Sequence, residues 1–363
     1  MKDYIWGNKE WPNFYWDRSV ISLKDNEVFY NEGFLKGVLS SFEKEYMLKH
    51  HAKIISTEIE KSWKIEDENL DKLTVYSSVC RKLNIEDAIN RKHSSHIDGI
   101  VEITLDAIDG EIKTLDSSRL FDWHSKMFPN SKSGGLPIKK GQYRENPIDV
   151  IAGEYGKEKV VYTAVPNEST DGEMEKFFSF VNNDMDYSKF VKSAIAHLWF
   201  ATIHPFEDGN GRLARAISNF VLYQNNKGYS FYSISAQIKL EQKEYYREIN
   251  KAQTNSCLDI TEWIIWYLDC LNRSIIKVTD NVNVTIKNEK FFRKANSYSL
   301  NKNQLLMIGK IIDEWRGKIT TKKWAKICSC SHDTATRDLN DLINKGLFKK
   351  ISAGPNTSYE LIY

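Results

Sequence analysis

Twelve consecutive residues, His204-Pro205-Phe206-Glu207-Asp208-Gly209-Asn210-Gly211-Arg212-Leu213-Ala214-Arg215, bring together the side chains needed to handle phosphate. An apolar stretch, Ile195 to Ile203, ends in a histidine. A loop with two glycines around an asparagine follows, and a second helix then opens with arginine. Glycines let the loop adopt positive φ and bring its amides close to an anion. The N-terminus of the next helix adds partial positive charge and N–H groups without intrahelical partners. Arg212 and Arg215, three apart, share a helical face and can both reach phosphate oxygens. Asp208 is a hard oxygen ligand suited to a Mg²⁺ that bridges phosphates. His204 stands where it could take a proton from an incoming hydroxyl. Singly, each feature has a plainer reading: a satisfied histidine, a turn, solvated arginines. Their order in one short segment favours the chemical reading.

These residues need a helical frame, and the sequence supplies one. Helical periodicity runs through Val28 to Leu48, Ala52 to Asp71 (with Ile54, Ile55, Ile59, Trp63, Ile65 and Leu70) and Leu73 to Leu83. It returns over Glu173 to Phe206, Arg212 to Gln224 and Leu240 to Lys277. Between Gly134 and Pro166 glycines and prolines cluster. There Lys159-Val160-Val161-Tyr162-Thr163 predicts a short strand, with Gly153 to Glu158 as a hairpin turn. Lys290 to Tyr298, polar and basic, predicts a linker.

Beyond it, Leu300 to Trp315, Thr320 to Cys328 and Ser331 to Lys345 predict three helices, the last ended by Gly346. Strands at Leu347 to Ile351 and Ser358 to Ile362 flank the turn Ala353-Gly354-Pro355-Asn356. Three helices and a β-hairpin make a winged helix-turn-helix. Its third helix would offer Ser331, His332, Thr334, Thr336 and Arg337 to a DNA major groove. Asp333, Asp338 and Asp341 on the same helix argue the other way, for a module that packs or docks on protein. The expected class is mainly α. Its divisions are a helical region at 1–110, a catalytic core at 111–289, a linker at 290–299 and the winged helix at 300–363.

Composition narrows the function classes. The 363 residues are 41% hydrophobic and 28% charged, enough for packed cores and against wholesale disorder. A net charge of +2 excludes a chain coated by nucleic acid throughout. From Asn301 onward, however, 11 basic residues face 6 acidic ones, so the tail carries about +5 and the remainder about −3. The longest run without Lys, Arg, Asp or Glu, Ser193 to Phe206, is shorter than the roughly 20 residues that span a bilayer. The N-terminus lacks the apolar stretch of a signal peptide. The five cysteines form no CxxC pair or Cys/His ladder. A soluble cytoplasmic protein is expected, with no membrane contact.

The segment from His204 to Arg215 matches His-x-Phe-x-(Asp/Glu)-Gly-Asn-Gly-Arg-x-x-Arg without a break, and so resembles the Fic (filamentation induced by cAMP) family. Tyr4 to Asp17, Ser56 to Leu83, Leu120-Phe121-Asp122-Trp123-His124, Ala196 to Phe200, Tyr229 to Ile238, Tyr245-Tyr246 and the tail extend the likeness over nearly the whole chain. The resemblance implies an all-helical Fic core with a small β-hairpin flap. It further implies a protein adenylyltransferase that moves AMP from ATP to a Ser, Thr or Tyr hydroxyl of a target protein.

Carried over, His204 would be the general base and Asp208 the Mg²⁺ ligand. Gly209, Asn210 and Gly211 would form the amide nest for the α- and β-phosphates, with Arg212 on phosphate and Arg215 on the γ-phosphate. Phe206 would pin the loop. Tyr246 and Gln253 would border the adenine. The hairpin at Gly153 to Pro166 would be the flap, with Lys159, Val160, Val161 and Tyr162 docking the target by strand addition. An inhibitory helix with (Ser/Thr)-x-x-x-Glu-(Gly/Asn) is expected at Ser56 and Glu60, with Lys61 departing from the pattern. Ser62…Glu66-Asp67 and Ser94…Asp98-Gly99 are its rivals. Alternative readings are a nucleotide-sensing transcription regulator, a Fic enzyme with another donor, and de-AMPylation. DNA contact by the tail and a homodimer are left open.

Overall fold

The computed structural model describes all residues except 1–3, 87–90, 92, 112, 154–158, 184–185, 225–227, 315–316, 352–353, 355–356 and 363. Helices dominate it, as expected of the sequence, with only three two-stranded sheets among the described residues.

Side chains that compete for backbone groups decide where the long helical stretches break. The run from Val28 to Leu48 divides into α1 (Arg18–Leu39) and α2 (Lys44–Ile65). Between them Ser40 and Ser41 turn their hydroxyls onto the carbonyls of Gly37 and Val38 (2.7 and 2.8 Å), groups a further helical turn would use. Asp17 caps α1, and Asp71 caps α3 (Lys72–Lys82). Helices α4 (Ser95–Ile108) and α5 (Ser117–Met127) follow, capped by Ser94 and Asp116. The run from Glu173 to Phe206 likewise divides into α6 (Thr170–Asn183) and α7 (Lys189–Ile203). Ser188 opens α7 by accepting from the Val191 amide.

The apolar content of α7 explains its place: Phe190 through Ile203 are all buried, so it forms the axis of the core. Helix α8 (Asn210–Tyr223) packs on it, and α2 and α4 pack on α8. Then come α9 (Ile234–Leu240), α10 (Gln242–Gln253) and the long α11 (Thr261–Asn296).

Two small hairpins lie between α5 and α6. In the first, β1 (Lys132–Ser133) pairs with β2 (Leu136–Pro137). In the second, β3 (Asp149–Ala152) pairs antiparallel with β4 (Lys159–Thr163). Asp149 stands opposite Thr163 and Val150 opposite Tyr162, with a bulge after Val150. The flap therefore begins at Asp149, four residues before the expected Gly153. Of the expected turn at Gly153 to Glu158, all but Gly153 lies outside the described residues.

The chain forms two compact units, 1–278 and 279–363. In the second, α12 (Lys302–Glu314), α13 (Thr321–Cys328) and α14 (His332–Asn344) are followed by β5 (Phe348–Lys350) paired with β6 (Tyr359–Leu361). Ile319 bridges to Tyr359. The expected linker at 290–299 is not one. Helix α11 runs through it to Asn296 and buries Phe291 and Ala295, one turn apart, in a core with Met307, Trp324, Leu339 and Phe348. The expected turn residues Ala353, Pro355 and Asn356 lie outside the described residues.

On α14, Asp338 is buried and accepts from Asn301 Nδ2, Asn303 Nδ2 and Trp324 Nε1. Asp341 is held by Gln304 and Lys345. Ser331, His332, Asp333 and Arg337 remain exposed. No described helix is long and apolar enough to cross a membrane.

Candidate active site

Helix α7 stops at His204 because that residue enters the left-handed region (φ 54°, ψ 57°), its amide still bonded to Phe200 O at 3.0 Å. His204 Nδ1 faces Ala201 O at 3.3 Å, which makes Nδ1 the protonated nitrogen and leaves Nε2 as the acceptor. Burial lowers this imidazole to about 4, and the nearby Arg144 guanidinium pushes the same way. At neutral pH it is in the form that can take a proton.

The loop after it is held by its own residues. Phe206 is fully buried, stacked on His124 at 4.3 Å and flanked by Tyr143 and Phe200, as its pinning role requires. The Asn210 side chain closes the loop on itself, accepting from Phe206 N (3.0 Å) and donating to Phe206 O (2.8 Å). His124 accepts from Gly141 N (2.9 Å) through Nδ1, which leaves Nε2 to donate to Asp208 O (3.2 Å). Gly209, the residue before α8, has φ 83°, and a Cβ there would meet Phe128 at 2.9 Å and Met127 Sδ at 3.0 Å. Asp208 accepts from Ser133 Oγ, a hydroxyl carried on β1, and from Arg212 Nη2 (3.2 Å).

Arg212 and Arg215 lie on one face of α8's first turns, both almost wholly buried. Arg215 donates through Nε to Ser62 Oγ and through Nη2 to Ser62 O and Glu66 Oε1, each at 2.8 Å. Burial opposes its charge, but Glu66 beside it raises the guanidinium pKa further. Arg212 pairs with Glu68 Oε1 at 2.5 Å and lies between the rings of Trp63 and Phe128. The Glu66 carboxylate rests on the α8 N-terminus itself: a Cβ on Gly211 would overlap it. Among the described residues Arg212 Nε and Arg215 Nη1 are buried donors with no acceptor, which fits a site that receives a multiply charged anion.

The inhibitory pair expected at Ser56 and Glu60 is therefore corrected. Ser56 bonds to Ala52 O within α2, and Glu60 pairs with Lys61 at 2.8 Å. The residues that meet Arg215 are Ser62 and Glu66, the rival pair of the sequence reading. A physical signal was available. The position after Glu66 is Asp67, at φ 58°, a left-handed helix end that Gly, Asn and Asp tolerate best. Lys61 lies inside the helix.

Tyr246 and Gln253 share one face of α10. Tyr246, half-exposed, points its hydroxyl at Ile65 O (3.4 Å), beside Glu66. Gln253 is buried against Thr202 Oγ1 (3.3 Å), two residues before His204.

On the flap, Tyr162 is an anchor: it is buried, and its hydroxyl donates to Thr202 O at 2.6 Å. The carbonyls of Val161 and Thr163, on the side of β4 away from β3, accept from Asn250 Nδ2 (3.1 Å) and Trp6 Nε1 (2.9 Å). Strand addition along β4 at Lys159 to Tyr162, as expected from sequence, would have to break these bonds. Among the described residues, the outer edge of β3 carries no such backbone partner, and Ile151 stands exposed beside it. Sequence reasoning gave no role to Glu68, Ser133 or Arg144.

The Fic/DOC family profile matches residues 114–222, the span from just before α5 to the end of α8. A Fido domain-containing protein of Dictyostelium discoideum is 30% identical over 119 residues, which are 32% of this chain and 75% of that protein. The chain belongs to the Fic/DOC family.

Members of this family are generally transferases of nucleotidyl or other phosphate-containing groups. They use nucleoside triphosphates, usually with a divalent metal, and modify target proteins. Solved structures share the fold. A Fic family protein from Desulfovibrio desulfuricans superposes with a TM-score of 0.52 at 19% identity, covering 96% of this chain and 97% of that one. A Fic domain-containing signaling protein from Bacteroides thetaiotaomicron gives 0.51 at 21% identity, covering 71% and 97%. Residues 4–85 match a separate domain of unknown function, DUF4172. In this Fic/DOC chain that separate segment contributes Ser62, Glu66 and Glu68 to the arginines of the family segment. Asp208 is a single carboxylate, and no cluster of three or more His, Cys, Asp or Glu side chains that could hold a metal occurs among the described residues. A Mg²⁺ that takes most of its ligands from phosphate and water fits such a site.

Proposed function

We propose that this chain is a protein adenylyltransferase, moving AMP from ATP to a Ser, Thr or Tyr hydroxyl of a target protein, and that Glu66 holds it back. One observation carries the reading. Two buried arginines at the α8 N-terminus are each bonded to a carboxylate and each keep one nitrogen with no acceptor among the described residues, with a neutral histidine at the other end of the same loop.

His204 Nε2 takes the proton of the acceptor hydroxyl as its oxygen attacks the α-phosphorus. The bond from that phosphorus to the bridging oxygen breaks, and pyrophosphate leaves. Arg215 holds the γ-phosphate. Arg212 and the first amides of α8 hold the inner phosphates, where charge builds as the bond breaks. Asp208, oriented by Ser133, would hold Mg²⁺, which supplies charge neutralisation along the phosphates when bound. Tyr246 and Gln253 border the base. An extended segment of the target adds to the outer edge of β3, which sets its hydroxyl before His204.

Glu66 and a γ-phosphate need the same guanidinium, and two anions cannot share it without repulsion. ATP therefore binds the closed form with its α-phosphate misaligned. The test incubates the full chain with labelled ATP and Mg²⁺. Glu66→Gly should label protein at least tenfold faster than the parent if the closed form is favoured by ~1.4 kcal/mol or more. His204→Ala in that background should lose about 10²–10⁴ of the rate while keeping ATP affinity within a few-fold. A Glu66→Gly chain that binds ATP yet labels neither itself nor any added protein would overturn the reading.

A further inference from the structure

Arg144 lies outside the twelve-residue segment, yet it touches more of the site's backbone than any residue inside it. It is buried, 3% exposed, and among the described residues its guanidinium bonds to no carboxylate. Its donors go to main-chain carbonyls instead. Nε donates to His204 O at 2.8 Å, Nη1 to Asn146 O at 2.9 Å, and Nη2 to Val165 O, with Ile203 O at 3.5 Å. Its own amide donates to Pro205 O at 2.9 Å. Asn146 precedes β3 and Val165 follows β4, so the two carbonyls are the two roots of the flap. His204 and Pro205 are the turn that carries the imidazole.

A planar guanidinium with donors in fixed directions can fix several acceptors relative to one another, which a single ammonium cannot. The histidine it holds has a left-handed backbone, which is unfavourable for a non-glycine residue and persists only where neighbours enforce it. The flap needs the same support, since an isolated two-stranded hairpin is marginally stable at best. We propose that Arg144 is a positioning residue that makes the flap and the His204 turn one rigid body, fixing the distance between the docked acceptor strand and the base. The catalytic consequence rests on the transferase reading above. The mechanical one does not.

The test uses the full chain and the variant Arg144→Lys, which keeps a buried cation but loses the fork. Hydrogen–deuterium exchange should quicken together, by about tenfold or more, at residues 148–152, 159–165 and 203–206, with the interiors of α7 and α8 unchanged. In the Glu66→Gly background, Arg144→Lys should lower kcat for transfer at least tenfold and shift the ATP dissociation constant by less than about threefold. Unchanged exchange at these segments would overturn the proposal. So would a uniform rise across α7 and α8, or ATP affinity falling in step with kcat.

If the variant does not fold, native-state exchange of the parent at low denaturant decides. The flap roots and the His204 turn must open with the same free energy, and separate openings would sink the coupling. A chain that shows the coupled exchange but never transfers AMP would remove the proposed function and leave the coupling standing.

Discussion

Glu60 and Glu66 stand six residues apart on one helix, about 240° around its axis, so only one of them can face Arg215. Helix geometry alone does not say which; the helix end does. Glu66 caps the end of α2, its successor turns left-handed, and Asp67 accepts that conformation. Replacing Asp67 with Gly relieves a backbone penalty of order 1 kcal/mol in the closed form, so basal labelling should fall a few-fold, opposite in sign to Glu66→Gly. A rise would mean that the left-handed turn does not support closure. Glu60→Gly is the matched control and should leave labelling unchanged, because its carboxylate meets Lys61. The segment that marks the family was legible because its residues are contiguous and their types and order are distinctive. The carboxylate that meets Arg215 was not, because Ser-x-x-x-Glu recurs and the discriminating feature is a backbone angle. His204 offers a second measurement. With burial holding it near 4, its ring signals in NMR should stay in the neutral form from pH 8 down to about 5.5 and move only below that. Titration near 6.5 would show a solvated histidine and remove the argument for a desolvated base.

Elements were easier to find than their ends. The apolar repeats of α2, α7 and α8 were plain in the sequence, whereas the breaks at Ser40-Ser41 and Ser188 depend on single hydroxyls that bond to backbone. Helix α4 escaped the sequence reading, although Ile97, Ile100, Val101, Thr104 and Ile108 follow helical spacing on its buried side. The flap shows the same limit. Strand β4 is rich in β-branched residues and was evident, while β3, close behind a proline-containing turn, was not. That omission matters for function. With Val161 O and Thr163 O already bonded to Asn250 and Trp6, β3 is the edge left for the target strand proposed above. Ile151→Lys places a flexible charge on that edge without touching the β4 anchors. It should raise KM for the protein acceptor by about tenfold and leave ATP binding unchanged. If instead Val160→Lys impairs docking and Ile151→Lys does not, the target uses β4 after all.

At the scale of the whole molecule, the uneven spread of charge along the sequence already marks off the second unit, and its three helices and hairpin fall within a residue or two of their expected ends. Its beginning was misplaced, because Lys290 to Tyr298 looks polar when counted and is amphipathic when wound. Phe291 and Ala295 face the core while Arg293 and Lys294 between them face water. This sets where an isolated tail can be cut. A fragment starting at Leu300 lacks Phe291, and removing a buried phenylalanine costs about 3–5 kcal/mol, a large share of the stability of so small a domain. The fragment 279–363 should therefore unfold cooperatively at a clearly higher denaturant midpoint than 300–363. Both should be compared by circular dichroism at equal concentration. The longer fragment is the one to test for duplex DNA. With Asp338 buried and Asp341 held by Gln304 and Lys345, the exposed start of α14 carries Asp333 against Arg337, and Lys322 and Lys323 add positive charge from α13. Binding should be weak and fall steeply as salt rises, and Arg337→Ala or the Lys322/Lys323 double alanine variant should each flatten that slope. If fragment 279–363 folds and no duplex shifts it at low ionic strength, the unit is a protein-docking module, and the exposed α14 residues are where its partner should be sought.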